Sequence, residues 1–121
     1  MKKTKMLKKN YEFKRVLTKG NYYSGKYIEA FILKNNLKIN LLGLAISVKT
    51  AKAVKRNQIK RLIRENYKNF EESIKTGYSI VFLWKKKASL ENLEFYNIKN
   101  DINYIIKKSN ISKEEIWKKY L

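Results

Sequence analysis

The sequence predicts an α+β fold, a two-layer α/β sandwich in which helices cover one central sheet. Two observations lead there. Apolar runs with a period of two alternate with apolar runs of helical period, with no internal repeat and no obvious linker. The 121 residues are also 44% hydrophobic and 13% aromatic, which suits a single domain with a real core and excludes a wholly disordered basic tail.

The elements follow in order. Lys2, Lys3, Lys5, Lys8 and Lys9 crowd residues 1–9, which read as a mobile basic arm that attracts phosphate nonspecifically. Asn10 suits a helix N-cap over residues 11–19, where Phe13, Val16 and Leu17 share one face and Gly20 is the stop. Residues 21–25 read as a loop. Residues 27–34 alternate Tyr27, Glu29, Phe31 and Leu33 against Ile28, Ala30 and Ile32, the pattern of a strand with two distinct faces. A turn begins at Asn35-Asn36. Residues 41–48 are almost continuously apolar, as in a central strand, and Gly43 marks a bulge or a close approach.

A basic helix spans residues 53–72, and Thr76-Gly77 turns the chain into an apolar strand at 78–84. Ser89 caps the next helix, which holds Phe95, Ile98, Ile102 and Ile105 on one stripe to about residue 108. Ser112-Lys113-Glu114-Glu115 is a capping-box pattern ahead of Ile116, Trp117 and Tyr120, predicting a short terminal helix over 110–121. The resulting order is α-β-β-α-β-α with a small tail. Trp84 and Trp117 read as packing residues.

Charge narrows the function. The formal net charge is +19, from 29 Lys plus Arg against 10 Asp plus Glu, with a pI near 10.0. Such self-repulsion opposes compaction and calls for a polyanionic partner, most commonly nucleic acid, where counterion release drives association. Sulfate or phosphate should stabilise the free protein by the same attraction. Acidic membranes compete for this reading. The segment from Met1 to Leu7 lacks the apolar run of a signal peptide, and no stretch approaches the ~20 apolar residues of a membrane span, so a cytoplasmic protein is expected.

Catalytic constellations are scarce. Cysteine and histidine are absent, which removes disulfides, a thiol nucleophile, the usual zinc ligands and the usual general base. Glu65, Glu71 and Glu72 are spaced as helix surface, and no carboxylate pair sits in an apolar setting tuned for acid/base work. The four glycines stand singly, so no phosphate loop is formed. No catalytic residue and no protein metal site are predicted.

The segment Lys55-Arg56-Asn57-Gln58-Ile59-Lys60-Arg61-Leu62-Ile63-Arg64 carries the strongest signal. Asn57, Lys60, Arg61 and Arg64 fall at i, i+3, i+4 and i+7, on one helical stripe. Ile59, Leu62, Ile63, Tyr67 and Phe70 form another, suited to a core. One face docks and the other faces a polyanion; a merely solvated face is the weaker reading, because no carboxylate occurs between Glu29 and Glu65. Lysine is abundant throughout, but the arginines are only Arg15, Arg56, Arg61 and Arg64, and three of these four lie in this helix. Arginine grips phosphate with a planar fork, so its clustering marks a place where geometry counts.

The stretch Gly43-Leu44-Ala45-Ile46-Ser47-Val48-Lys49-Thr50-Ala51-Lys52-Ala53-Val54-Lys55-Arg56-Asn57-Gln58-Ile59-Lys60-Arg61-Leu62-Ile63-Arg64-Glu65 resembles the signature of the bacterial ribonuclease P protein subunit. There, an apolar strand passes through a short loop into Ala-Val and an Arg-Asn-Arg helix followed by Lys-Arg. Phe13-Lys14-Arg15-Val16-Leu17 before Gly20, the strand holding Phe31, and Lys85-Lys86 before Ala88-Ser89 occur in the family's order. The resemblance covers nearly the whole chain. It implies a small basic α/β sandwich with a left-handed βαβ crossover, an exception to a hand kept in ~98% of such connections. It further implies a partner, a catalytic RNA, with which the protein forms an endonuclease that removes the 5′ leader of precursor tRNA. Mg²⁺ would be held chiefly by RNA phosphates, and the RNA would be the catalyst.

By the same resemblance Lys49, Lys52, Lys55, Arg56, Asn57, Lys60, Arg61 and Arg64 would contact the RNA subunit, and Phe13, Leu17 and Phe31 the leader. Unpaired bases stack on such aromatic surfaces. From the residues alone Phe13 and Phe31 read first as core, and only the resemblance turns them toward the leader. Lys85 and Lys86 are further candidate RNA contacts or simply a soluble turn. Three positions depart from the family pattern: Gln58 for the second arginine of Arg-Asn-Arg, Ala51 where glycine is common, and Val48 where lysine is common. A ribosomal or other structural RNA-binding module is the alternative reading. A DNA-binding protein is a third, weakened because no short turn joins two helices with a readable recognition helix.

Overall fold

The computed structural model describes residues 1–113. Its sheet has five strands, β1 (Thr4–Met6), β2 (Asn21–Ser24), β3 (Ile28–Lys34), β4 (Asn40–Leu44) and β5 (Tyr78–Trp84), in the order β1-β4-β5-β3-β2. Three helices accompany them: α1 (Asn10–Lys19), α2 (Ala53–Phe70) and α3 (Phe95–Lys108). β4 runs parallel to both β1 and β5, while β3 is antiparallel to β5 and β2. The α+β class is as expected, and β4–α2–β5 is a parallel crossover unit.

Alternation along β3, β4 and β5 divides the sheet into two faces. Ile28, Ala30, Ile32, Leu42, Leu44, Ile80 and Phe82 point to one side and are all buried against α2 and α3. From α2, Ile59, Ile63 and Tyr67 are fully buried at i, i+4 and i+8; from α3, Ile98, Ile102 and Ile105. Each such side chain contributes roughly 1.5–3 kcal/mol over its exposed state. The opposite face carries Phe31, Leu33, Leu41, Ala45, Val81 and Leu83 under α1 alone. Only Leu7, Val16 and Val81 are buried there; the rest stay half-exposed.

Several expectations are corrected. Residues 1–9 are not a mobile arm. Thr4–Met6 pair with Asn40–Leu42 in register, Leu7 N–H donates to the Leu42 carbonyl at 2.8 Å, and the Thr4 and Tyr67 hydroxyls bond at 2.8 Å in the core. Lysine on an exposed edge strand discourages edge-to-edge pairing, which gives such a strand the composition of a tail. Residues 21–25 are not a loop but largely β2, whose side chains are almost all exposed, so no burial pattern announces it. The run at 41–48 ends as a strand at Leu44, because Ser47 starts a turn: its Oγ accepts from Lys49 N–H at 3.1 Å and its carbonyl from Thr50 N–H at 3.0 Å. β4 is an interior strand, paired with β1 and β5, and β5 holds the middle of the sheet.

Asn10 is the first residue of α1, with Lys9 as N-cap, and Ser89 caps a 3₁₀ turn at Leu90–Asn92 rather than α3 itself. Glu71 and Glu72, expected as the end of the basic helix, instead belong to a 3₁₀ turn at Glu71–Ser73. Beyond α3, Asn110 adopts φ 61°, Ile111 is buried and Ser112 bridges Ile74. The terminal helix expected over 110–121, with Trp117, falls mostly on residues 114–121, outside the described ones.

Candidate nucleic-acid interface

The basic helix is oriented as its two stripes require. Because Ile59, Ile63 and Tyr67 are anchored in the core, Lys55, Asn57 and Arg61 are exposed and Arg56, Lys60 and Arg64 half-buried on the remaining surface. Asn57, Lys60 and Arg64 form no hydrogen bond or ion pair through their side chains among the described residues. Arg61 makes only a long 3.9 Å contact with Glu65, and both are exposed, so the pair contributes little. Arg56 differs: one guanidinium N–H donates to the Ala51 carbonyl at 2.7 Å, fastening the loop before the helix. A guanidinium has further donors, so Arg56 still presents charge outward.

Lys49 and Lys52 lie exposed in that loop, next to the helix start. α2 opens at Lys52 with no side-chain cap and no acid in its first turn, leaving its first amide groups and positive dipole end uncompensated. Lys49, Lys52 and Lys55 therefore surround a helix terminus already favourable to anions. Gln58 is half-buried beside this surface, while Val48 is 74% exposed and supplies no charge.

On the other side of the sheet, α1 lies across an apolar face that it covers only in part. Val16 inserts fully, while Phe13 and Leu17 are half-buried. Gly43 explains how Phe13 seats: a Cβ there would come within 2.6 Å of the Phe13 ring, so the strand makes a close approach and not a bulge. Phe31 lies on this face with its ring 5.2 Å from that of Tyr22, its cross-strand partner on β2. Phe13, Leu17 and Phe31 thus combine packing with open surface. Tyr27 does not join them. It lies before β3 and stacks on Trp84, rings 6.4 Å apart, against the helix-covered core.

Lys85 and Lys86 separate. Lys85 Nζ donates to Ser24 Oγ at 2.8 Å and to the Gly25 carbonyl at 3.1 Å, holding the β2–β3 turn, whereas Lys86 is exposed. The same turn rests on a residue that sequence reasoning missed. Asp101, 5% exposed, accepts backbone N–H bonds from Lys26, Tyr27 and Ile28 at 2.9, 2.7 and 2.9 Å. It is the only aspartate in the chain, and its place on the apolar stripe, between Ile98 and Ile105, was the available signal. Tyr67 was read only as packing; burial pushes its phenol above the ordinary tyrosine value, partly opposed by the Thr4 hydroxyl.

A strongly basic α+β fold with a cationic helix on one side and a half-covered aromatic face on the other has the surfaces expected of a nucleic-acid-binding protein. The comparisons narrow this. Residues 1–110 match the family model for Ribonuclease P. The ribonuclease P protein component of Clostridioides difficile (strain 630) is 38% identical over 111 residues, covering 91% of this chain and 96% of the relative. That of Clostridium botulinum (strain Langeland) is 37% identical over 112 residues, covering 92% and 98%. Among solved structures, the ribonuclease P protein of Thermotoga maritima superposes with TM-score 0.77 at 25% identity, covering 86% of this chain and 96% of that one. The Staphylococcus aureus protein gives 0.74 at 30% identity, covering 88% and 95%. The chain belongs to the ribonuclease P protein family.

Proposed function

We propose that the chain works as the protein subunit of a ribonuclease P ribonucleoprotein, docking on the catalytic RNA through α2 and taking the 5′ leader of precursor tRNA along the α1 groove. The observation that carries this is the separation of two surfaces within one family member. Lys60, Arg61 and Arg64, with Lys49, Lys52, Lys55, Arg56 and Asn57, present a field without a carboxylate before Glu65, suited to a phosphate backbone. Phe31, Phe13 and Leu17 leave half-open apolar surface to which unpaired bases can stack at roughly 1–3 kcal/mol each.

In this reading the RNA performs hydrolysis and the protein acts by position. Charge on α2 screens repulsion between RNA phosphates, and the groove adds binding energy that only a leader-bearing substrate can use. The described residues gather no cluster of three or more His, Cys, Asp or Glu for a metal. We assign the Mg²⁺ of the reaction to RNA phosphates as part of this reading, where it would neutralise charge that develops during cleavage. No helix among the described residues is long and apolar enough to cross a membrane.

Reconstitution tests the proposal. The purified chain, mixed with the ribonuclease P RNA of its own organism at low Mg²⁺, should raise the rate of precursor-tRNA cleavage at the mature 5′ end. Binding to that RNA with no gain in cleavage would instead indicate a structural RNA-binding module.

A further inference from the structure

The leader groove uses one flank of α1, and the other flank borders a cavity of about 260 Å³. Its floor is apolar, from Leu7, Val16, Leu33 and Leu41, with the exposed Leu37 at the edge. Its mouth carries Tyr11, Arg15, Lys34 and Asn36, with Glu12 as the single carboxylate. Three features distinguish it from an incidental dent. Arg15 is the one arginine outside α2, and its exposed guanidinium forms no hydrogen bond or ion pair among the described residues. Tyr11 is 67% exposed, with Lys9 Nζ 5.7 Å from its ring centroid.

The third feature is a preformed rim. Asn35 accepts from Leu37 N–H at 2.8 Å and donates to Ser79 Oγ at 3.2 Å, while its own N–H donates to the Gly77 carbonyl at 2.9 Å. Asn36 is held at φ 61° and Gly77 at φ 100°, so both backbones sit in the left-handed region that fixes this turn. A rim ordered before binding lowers the entropic cost of holding a ligand.

The volume lies just below the roughly 300–1,000 Å³ typical of sites for drug-sized ligands, which favours one planar ring over anything larger. An apolar floor, an exposed tyrosine, an unpaired arginine and Lys34 are the partners of a nucleobase and its phosphate. We propose that this cavity receives one unpaired base of the precursor leader, after the strand has passed over α1, with Arg15 and Lys34 on the adjoining phosphates and Tyr11 against the base. A helix with its side chains is only ~10–12 Å across, a distance that an extended strand crosses within a few nucleotides. The inference rests on the leader reading of the groove.

The test uses the reconstituted holoenzyme and two precursor tRNAs, one with a short leader that ends in the groove and one with a leader long enough to pass α1. Tyr11→Ala combined with Arg15→Ala changes only exposed side chains. It should weaken the long-leader substrate by roughly tenfold, as expected when one base loses its stacking partner and one phosphate its cation, while leaving the short-leader substrate unchanged. A fluorescent purine analogue placed along the long leader should be quenched at one outer position, and Leu37→Trp, which adds bulk at the cavity edge, should change that quenching. Equal losses for both substrates, or quenching insensitive to Leu37→Trp, overturns the inference. Phe31→Ala, assayed beside it, separates the two claims: if it distinguishes precursor from mature tRNA while Arg15 and Tyr11 do not distinguish leader lengths, the groove stands and the cavity does not.

Discussion

The two faces of the sheet are built from the same strands and solve opposite problems. Toward α2 and α3, Ile28, Ile80, Phe82 and Leu42 are at most 1% exposed, and matching isoleucines from both helices close over them. Toward α1, Phe31, Leu33, Leu41 and Leu83 remain half-exposed because a single ten-residue helix covers them. The difference lies in what each face is for. The closed face supplies the stability that lets a chain of formal charge +19 fold, and the open one leaves apolar surface uncovered, which the proposed function gives to the leader.

That contrast breaks most visibly in stability. Ile63→Ala should cost about 2–5 kcal/mol in urea unfolding, as is usual for a cavity in a closed core. Phe31→Ala should cost clearly less, because its site is already half-open; equal costs would erase the distinction between faces. Gly43→Ala forces the Phe13 ring or Leu7 to move, and should lose about 1–3 kcal/mol while disturbing the groove more than the α2 surface. An unaltered stability would mean that α1 floats free of β4.

The cationic surface should behave differently again. Lys60→Ala and Arg64→Ala should leave stability within ~0.5 kcal/mol but lower the salt slope of RNA-subunit binding by about one unit for each phosphate no longer neutralised. An unchanged slope would locate docking elsewhere. Sulfate should raise the melting temperature of the free protein, since an anion bound only by the folded state stabilises it by mass action. No rise would separate the charge from any organised anion site.

The closed face also predicts a response to alkali. Burial holds the Tyr67 phenol above its ordinary value of 10.0, so the folded state keeps a proton that the unfolded state releases. Its contribution is complete below about pH 10, and stability falls as pH rises from there through the raised folded value. Tyr67→Phe should flatten that decline by a measurable part, read from urea midpoints across the alkaline range. An identical decline in both proteins would assign it to other groups.

The closed face was the more legible of the two in the sequence. Period-two strands and the Ile59, Ile63, Tyr67 spacing are local signals, and they led directly to the core and to the orientation of α2. The basic stripe was legible for the same reason, since a buried face determines where its opposite points. What escaped depends on neighbours distant in sequence. β1 gains its partner from Asn40–Leu42, and Tyr27 turns toward Trp84 only because the strand starts one residue later. Lys85 is drawn into the β2–β3 turn by Ser24 and Gly25, and Asp101 reaches that turn from 73 or more residues away. Phe13 could be read as core or as binding surface because Gly43 lets its ring pack on β4 while the side chain stays half-exposed.

The most direct test of the account is the affinity of the holoenzyme carrying Phe31→Ala for precursor and for mature tRNA, measured side by side. If the open face receives the leader, precursor affinity falls several-fold, within the range expected when one base loses its stacking partner, and mature tRNA affinity stays constant. Equal losses for the two RNAs would contradict the account and return Phe31 to the core.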